Sequence, residues 1–253
     1  MSLRIERSDA TVVLTIDRPA TRNALDADLA RRLAEAAREA AADASARAIV
    51  LAASGEESFV SGGDLNEIAK HVREGGGPGP VLDMYEPLLV LESGDLPVIA
   101  AVQGDVYGGG CELILLCDMV LMESHTSLAF RHARMGLSPA WGGITRLIER
   151  VGPQEAARLL FTAEKIDATE AQRIGLVGDV VPKGQALTRA LERAALIAKN
   201  SRAVIAAQKR AVLAVRRAHR GNAIDLERAV FAELWAGPAH QAAIDGFFRR
   251  RSG

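Results

Sequence analysis

The chain has 253 residues, 49% of them hydrophobic, with a formal net charge of −1. That length and apolar content support a substantial core, as one large domain or a domain with an appendage, while the balanced charge gives no global case for a nucleic-acid or membrane partner. Aromatic residues at 4% against abundant alanine favour helix-rich packing over a β-sandwich, Cys111 and Cys117 offer neither a disulfide framework nor zinc spacing, and no signal-peptide core or long apolar run appears, so a cytoplasmic protein without a metal is expected.

Ile5 and the β-rich run Thr11–Ile16 end at Asp17-Arg18-Pro19. Asp26 is placed to cap an alanine-rich helix reaching about Ala42. The apolar strand Ala48–Ala53 leads into Phe59-Val60-Ser61-Gly62-Gly63-Asp64-Leu65, with Asp64 the expected cap of a short helix from Leu65 to Val72. Glu74-Gly75-Gly76-Gly77-Pro78-Gly79-Pro80 reads as a mobile loop. A helix over Val81–Glu92 and a strand over Pro97–Val102 bring in the second glycine segment, Gly108-Gly109-Gly110-Cys111-Glu112.

After Leu113–Leu116, strands are expected at Met119–Met122 and Ser127–Phe130, with one more around Val177–Val181. Helices dominate from Gly143, with cap chemistry at Asp167–Ala171 and Gly175 placed to end that helix. The closing helices are read as Gln185–Lys199, Ala203–Arg217 and Ile224–Trp235, then a short one after Pro238. The order is a repeated β–β–α pattern followed by helices, an α/β protein.

Both glycine segments follow an apolar strand and precede a helix. Glycine lets a ligand approach the backbone closely, a helix start carries unpaired N–H groups, and two such groups converging make an oxyanion hole. A phosphate loop is disfavoured because GxxxxGK[ST] is absent, a dinucleotide fingerprint because Gly104–Gly108 does not give GxGxxG, and a serine hydrolase because Ser61 lacks a GxSxG elbow.

Four stretches stand in one order and spacing: Arg18–Leu25, Ser61–Leu65, Gly108–Leu113 with Cys117-Asp118, and Gly136–Pro139 with Gly142-Gly143. With them the chain resembles the crotonase (enoyl-CoA hydratase/isomerase) superfamily over essentially its whole length. The resemblance implies a ββα spiral core over residues 1–190 for acyl-CoA binding and catalysis. It implies a helical region over 191–253 that assembles a homotrimer or a dimer of trimers and completes part of the coenzyme A site. It also implies a coenzyme A thioester substrate, no separate cofactor, and a thioester enolate held by the N–H groups of Gly63 and Gly109.

Glu112 stands three residues after Gly109, about one helical turn on. It is either an ordinary partner of a helix start or, as in family hydratases, one of two carboxylates that position water. The matching second carboxylate position, four residues before Gly136, is His132. An imidazole exchanges protons near neutral pH and can be a cation, so this departure lowers the negative charge of the site. The stretch Phe130-x-His132-x-x-Met135-Gly136-x-x-Pro139-x-Trp141-Gly142-Gly143, with Trp235–Ala239, is similar to the ethylmalonyl-CoA decarboxylases of the superfamily. His132 is then expected to orient a substrate carboxylate and protonate the carbanion; the alternative is a histidine packed on a strand end. Trp141 either fills the acyl pocket and limits chain length or is a core aromatic. Tyr107 is expected to line the pocket or donate a proton. On the coenzyme A side the resemblance assigns Arg22, the Ala24 backbone, Ser61 and Leu65, with Phe247 and Arg250 in a tail that holds the nucleotide or frays.

Three functions compete: decarboxylation of a short 2-carboxyacyl-CoA, an enoyl-CoA hydratase or isomerase using Glu112, and a coenzyme A-binding scaffold without turnover.

Overall fold

The computed structural model describes residues 2–249. β1 (Leu3–Ser8) and β2 (Thr11–Ile16) form an antiparallel hairpin, turned at Asp9 with φ 50°. α1 (Ala27–Ala42) follows; the Asp26 side chain accepts the Leu29 N–H at 2.7 Å, the cap its sequence position calls for. Its buried face, Leu29, Leu33, Ala37 and Ala40, recurs at the three- and four-residue spacing of a helix packed on one side.

Then come β3 (Ala48–Ala53), β4 (Ser58–Val60), α2 (Leu65–Arg73), α3 (Gly79–Asp83) and α4 (Tyr85–Ser93). The single helix expected over Val81–Glu92 is thus divided. Pro87 has no N–H to give the Asp83 carbonyl, so the chain breaks at Met84. Gly79 and Pro80, expected in an irregular loop, open α3, where a proline at the second position costs no hydrogen bond. β5 (Val98–Val102), β6 (Asp105–Tyr107), α5 (Gly109–Leu115), β7 (Met119–Glu123) and β8 (Ser127–Ala129) repeat the pattern. A 3-10 turn, Ala133–Met135, precedes α6 (Gly143–Thr162), which kinks at Gly152 before Pro153. β9 (Ile166–Asp167), α7 (Ala168–Arg173) and β10 (Asp179–Val181) follow. The chain ends in α8 (Ala186–Ala198), α9 (Arg202–Arg217), α10 (Ala223–Leu234) and α11 (Pro238–Arg249), the last longer than its sequence suggests.

Each repeat contributes one strand to each of two sheets. The larger sheet runs β1-β2-β3-β5-β7-β10, parallel apart from the first hairpin; the smaller runs β4-β6-β8-β9, with β4, β6 and β8 parallel. Alternation along β3 divides the core: Ile49 and Leu51 join the main cluster between the layers, while Ala48, Val50 and Ala52 meet Ala186, Ala190 and Ala194 of α8. Small alanines on α8 let it lie close to the sheet.

A buried ion network ties the last helices to this core. Arg146 and Glu92, each with a side chain 1% exposed, meet at 2.6 Å, and Arg220 bonds both Glu92 and Glu149. Burial alone would raise the Glu92 carboxyl, but hydrogen bonds from Arg146 and Arg220 outweigh it and hold that group well below the usual carboxylate range.

Candidate active site

Three adjoining parallel strands aim the site. β4 runs into Ser61-Gly62-Gly63, β6 into Gly108-Gly109, and β8 into Phe130-Arg131-His132. Neighbouring parallel strands end on the same side of a sheet, so segments far apart in sequence meet there. The strands feeding the glycine segments are therefore β4 and β6, rather than the longer apolar runs read as leading into them. The segments touch: a methyl carbon placed on Gly62 would lie 3.4 Å from the Gly109 nitrogen, and one on Gly109 would lie 3.7 Å from Gly62 Cα. Gly108 turns the chain between β6 and α5 at φ 52° and ψ −121°, a conformation that favours glycine.

Among the described residues neither the Gly63 nor the Gly109 N–H donates to a protein acceptor. Gly63 pairs with Leu25 through a parallel bridge whose bonds use Gly62 O and Asp64 N, and Gly109 begins α5, ahead of any intrahelical acceptor.

Glu112, on α5 and 3% exposed, points away from solvent into the loop before α6. Its Oε2 accepts the Trp141 N–H at 2.7 Å and the Gly143 N–H at 3.1 Å, while Oε1 lies 3.1 Å from His132 Nε2. Facing an ionised Glu112, the ring nitrogen is the donor, an arrangement that carries a proton on Nε2. His132 Nδ1 is buried and has no partner among the described residues. The imidazole also lines an apolar groove of about 270 Å³ formed with Leu137, Pro139, Ile144 and Phe161. Glutamate and histidine thus form one hydrogen-bonded pair, with the glutamate oriented by main-chain donors.

Trp141 walls the other side. A methyl carbon on Gly109 would be 3.0 Å from its Cζ3, and its Nε1–H donates to Val81 O at 2.8 Å. The glycine-rich segment before α3 is strapped down by the same device. Trp235 Nε1 donates to Gly76 O at 2.8 Å, His71 Nε2 lies 2.8 Å from Gly77 O, and Arg228 donates to Leu82 O at 3.0 Å. Sequence composition marks the glycines but not these distant donors.

Tyr107 is half-buried with its hydroxyl committed to Asp105 at 2.6 Å and its ring under Arg131 at 4.2 Å. Burial first, then the Asp105 hydrogen bond and charge, raises its phenol. That hydroxyl faces Asp105 rather than the Glu112–His132 pair. Asp64 caps α2 through Asn66 N at 3.0 Å.

The coenzyme A candidates form one edge near Gly63. Ser61 N–H donates to Arg22 O at 3.2 Å, Leu65 begins α2 two residues beyond Gly63, and the Arg22 side chain is exposed beside Glu57. The Ala24 carbonyl accepts from Arg18 at 2.7 Å, and Arg18 also meets Asp26 at 2.6 Å and Asp64 at 3.2 Å. Arg18 therefore locks both helix caps beside this edge; it stands in the first quoted stretch, yet nothing local marks that role. Phe247 lies far along α11 against Phe248, whose ring faces Arg73 at the end of α2. Arg250 lies outside the described residues. Among those residues no group of three or more His, Cys, Asp or Glu side chains is placed to hold a metal ion, and no helix is long and apolar enough to cross a membrane.

An α/β spiral with unpartnered main-chain amides at the ends of adjoining parallel strands defines a crotonase-type protein. The family model for enoyl-CoA hydratase/isomerase matches residues 6–252. The short-chain-enoyl-CoA hydratase of Clostridium acetobutylicum is 32% identical over 98% of this chain and 94% of its own. An ethylmalonyl-CoA decarboxylase of Danio rerio is 31% identical over 95% of this chain and 81% of its own. The crystal structure of carnitinyl-CoA hydratase from Mycobacterium avium superposes with a TM-score of 0.85 at 28% identity, covering 98% of this chain and 96% of that one. The chain belongs to the enoyl-CoA hydratase/isomerase family.

Proposed function

We propose that the protein decarboxylates a short 2-carboxyacyl-CoA of the malonyl type. The observation that carries this reading is the Glu112–His132 pair. A hydratase site of this family holds water between two carboxylates, whereas here one carboxylate faces an imidazole at 3.1 Å, its other oxygen already holding two main-chain donors. A single negative charge, paired with a group able to become a cation, accommodates a substrate that brings its own carboxylate.

In this reading the thioester oxygen lies against the Gly63 and Gly109 N–H groups. Breaking the bond between Cα and the carboxylate releases CO₂ and leaves the electron pair in the enolate, whose oxyanion those donors stabilise. His132 orients the carboxylate and then gives a proton to Cα; the imidazole recovers one from water. Glu112 holds the ring and balances its charge. Trp141 bounds the acyl side. The reaction so written uses no metal and no cofactor besides the coenzyme A of the substrate. The trimer, or dimer of trimers, belongs to the same reading, and sedimentation of the purified chain tests it.

The second reading, an enoyl-CoA hydratase or isomerase working through Glu112, is favoured by the hydratases among the relatives. One panel separates the two. The parent, His132→Ala and Glu112→Ala are compared for CO₂ release from malonyl-, methylmalonyl- and ethylmalonyl-CoA and for hydration of crotonyl-CoA. Decarboxylation predicts CO₂ from at least one malonyl-type thioester and a loss of about 10²–10⁴ in rate on changing His132. No CO₂ from any of them, with brisk crotonyl-CoA hydration that depends on Glu112, sinks the first reading and supports the second.

A further inference from the structure

A carboxylate of the C-terminal helices reaches the helix start that also holds Glu112. Glu227, buried on α10, accepts the Ile144 N–H at 3.1 Å and the Thr145 N–H at 2.7 Å, and also takes the Thr145 hydroxyl. The preceding amide, Gly143, goes to Glu112 at 3.1 Å. Successive N–H groups at the head of α6 are therefore divided between two carboxylates, one from α5 and one from α10. A helix start offers unpaired donors and a positive dipole end, which is why two buried negative groups can share it. Every contact to Glu227 is a donor, the pattern an ionised carboxylate accepts; burial first, and then the charge of Glu112, push its carboxyl above the usual range, and the Thr145 and Ile144 hydrogen bonds oppose that rise.

We propose that Glu227 is a positioning residue for the Glu112–His132 pair. It fixes the Ile144 and Thr145 amides that follow the Gly143 donor to Glu112, and with them the helix start, and its negative charge favours retention of a proton by that pair. The inference rests on the reading of the pair as the proton carrier, whichever thioester it serves. Charged or titratable groups adjoining the pair or Glu227 along these elements include Cys111 beside Glu112, Arg131 beside His132, Arg146 one turn along α6, and Arg228 beside Glu227 on α10. They are otherwise engaged: Arg131 lies over Tyr107, Arg146 is bonded to Glu92, Arg228 to Leu82 O, and the Cys111 thiol contacts the Ala129 carbonyl. Among the described residues, Glu227 is the carboxylate besides Glu112 that the first main-chain amides of α6 hold.

The test uses the full chain with Glu227→Gln and Glu227→Asp, following kcat and KM against pH on the thioester that the parent turns over. Removing one elementary charge a few ångströms away, at effective dielectric constants between protein and water, moves a titration by about one pH unit. Loss of a negative charge disfavours protonated neighbours, so the protonation-dependent limb of E227Q is expected to move to lower pH by about that much. Its kcat is expected to fall about 10- to 100-fold with KM little changed, the mark of misplaced reacting groups rather than lost binding. E227D keeps the charge and is expected to leave the limb where the parent has it. A limb unmoved in E227Q, with only thermal stability reduced, overturns the proposal and makes Glu227 a helix cap. If E227Q does not fold, E227D decides through kcat: a fall with KM and the limb retained, from a carboxylate drawn back from the Thr145 amide, supports the proposal, and an unchanged kcat with only thermal stability reduced overturns it. Failure of the decarboxylase reading shows separately, as absence of CO₂ from the parent, because hydration of crotonyl-CoA reads the same pair.

Discussion

Trp141→Ala removes both a wall and a clamp. The indole is 4% exposed, and a methyl carbon on Gly109 would lie 3.0 Å from it, so an acyl group bound at the Gly109 amide meets the ring directly. Truncating a buried tryptophan costs about 3–5 kcal/mol. In a chain of this size each kcal/mol is worth about 2–4 °C in Tm, so melting is expected to drop by about 10 °C. Selectivity changes in the opposite sense. A pocket discriminates about 10- to 200-fold per methylene at its limit, and opening the wall returns that factor for each methylene the parent rejects. The assay is calorimetric binding of acetyl-, butyryl-, hexanoyl- and octanoyl-CoA, which needs no turnover. The parent is expected to lose affinity as the chain lengthens, and the variant to recover hexanoyl-CoA by about tenfold or more relative to acetyl-CoA. Trp141→Phe keeps an aromatic ring but loses the bond to Val81, separating wall from clamp. Equal weakening of every thioester in Trp141→Ala would refute the role of the ring.

Two further perturbations follow from the charges and close contacts. Glu92→Gln leaves Arg146 without its carboxylate and Arg220 with Glu149 alone, and is expected to cost about 3–5 kcal/mol at neutral pH. Because the folded Glu92 carboxyl is depressed, its contribution is present above the ordinary carboxylate range and lost as pH falls through it, so the parent should lose more stability on acidification than Glu92→Gln; equal acid slopes in urea melts would count against the network. Gly143→Ala puts a methyl carbon 2.6 Å from Glu112 Oε2. Turnover is expected to fall about 100-fold while coenzyme A affinity is retained; unchanged turnover would show that Glu112 tolerates displacement.

Elements with long apolar runs or a clear cap were legible in the sequence: β2, β3, β5 and α1 stand where periodicity and Asp26 put them. Of the strands that aim the site, β8 was read at Ser127–Phe130, but β4 and β6 were not: three residues each, running straight into glycine segments, they are too short for alternation to register. The glycine segments, Glu112 and His132 were legible as motifs, and the fold brings all of them to one end of the smaller sheet. Their hydrogen bonds were not, because the partners of Glu112 lie 20 to 31 residues away and become neighbours only when the layers close. The bonds that hold the glycine-rich segment before α3, and the start of α3 itself, were not legible for the same reason: the glycines are local, while Trp141, Trp235 and Arg228 arrive from 60, 159 and 146 residues away.

The ion network has a consequence for how the chain can be divided. A truncation after α8 would strip Glu92 of Arg216, Arg217 and Arg220, and would remove Lys209, whose ammonium bonds Leu91 O at 3.0 Å and Leu96 O at 2.8 Å. The shortened polypeptide would expose an acidic and basic interior built to be closed by the missing helices. The spiral and its final helices are therefore expected to unfold as one cooperative body, and a single calorimetric transition of the full chain is the measurement that checks it.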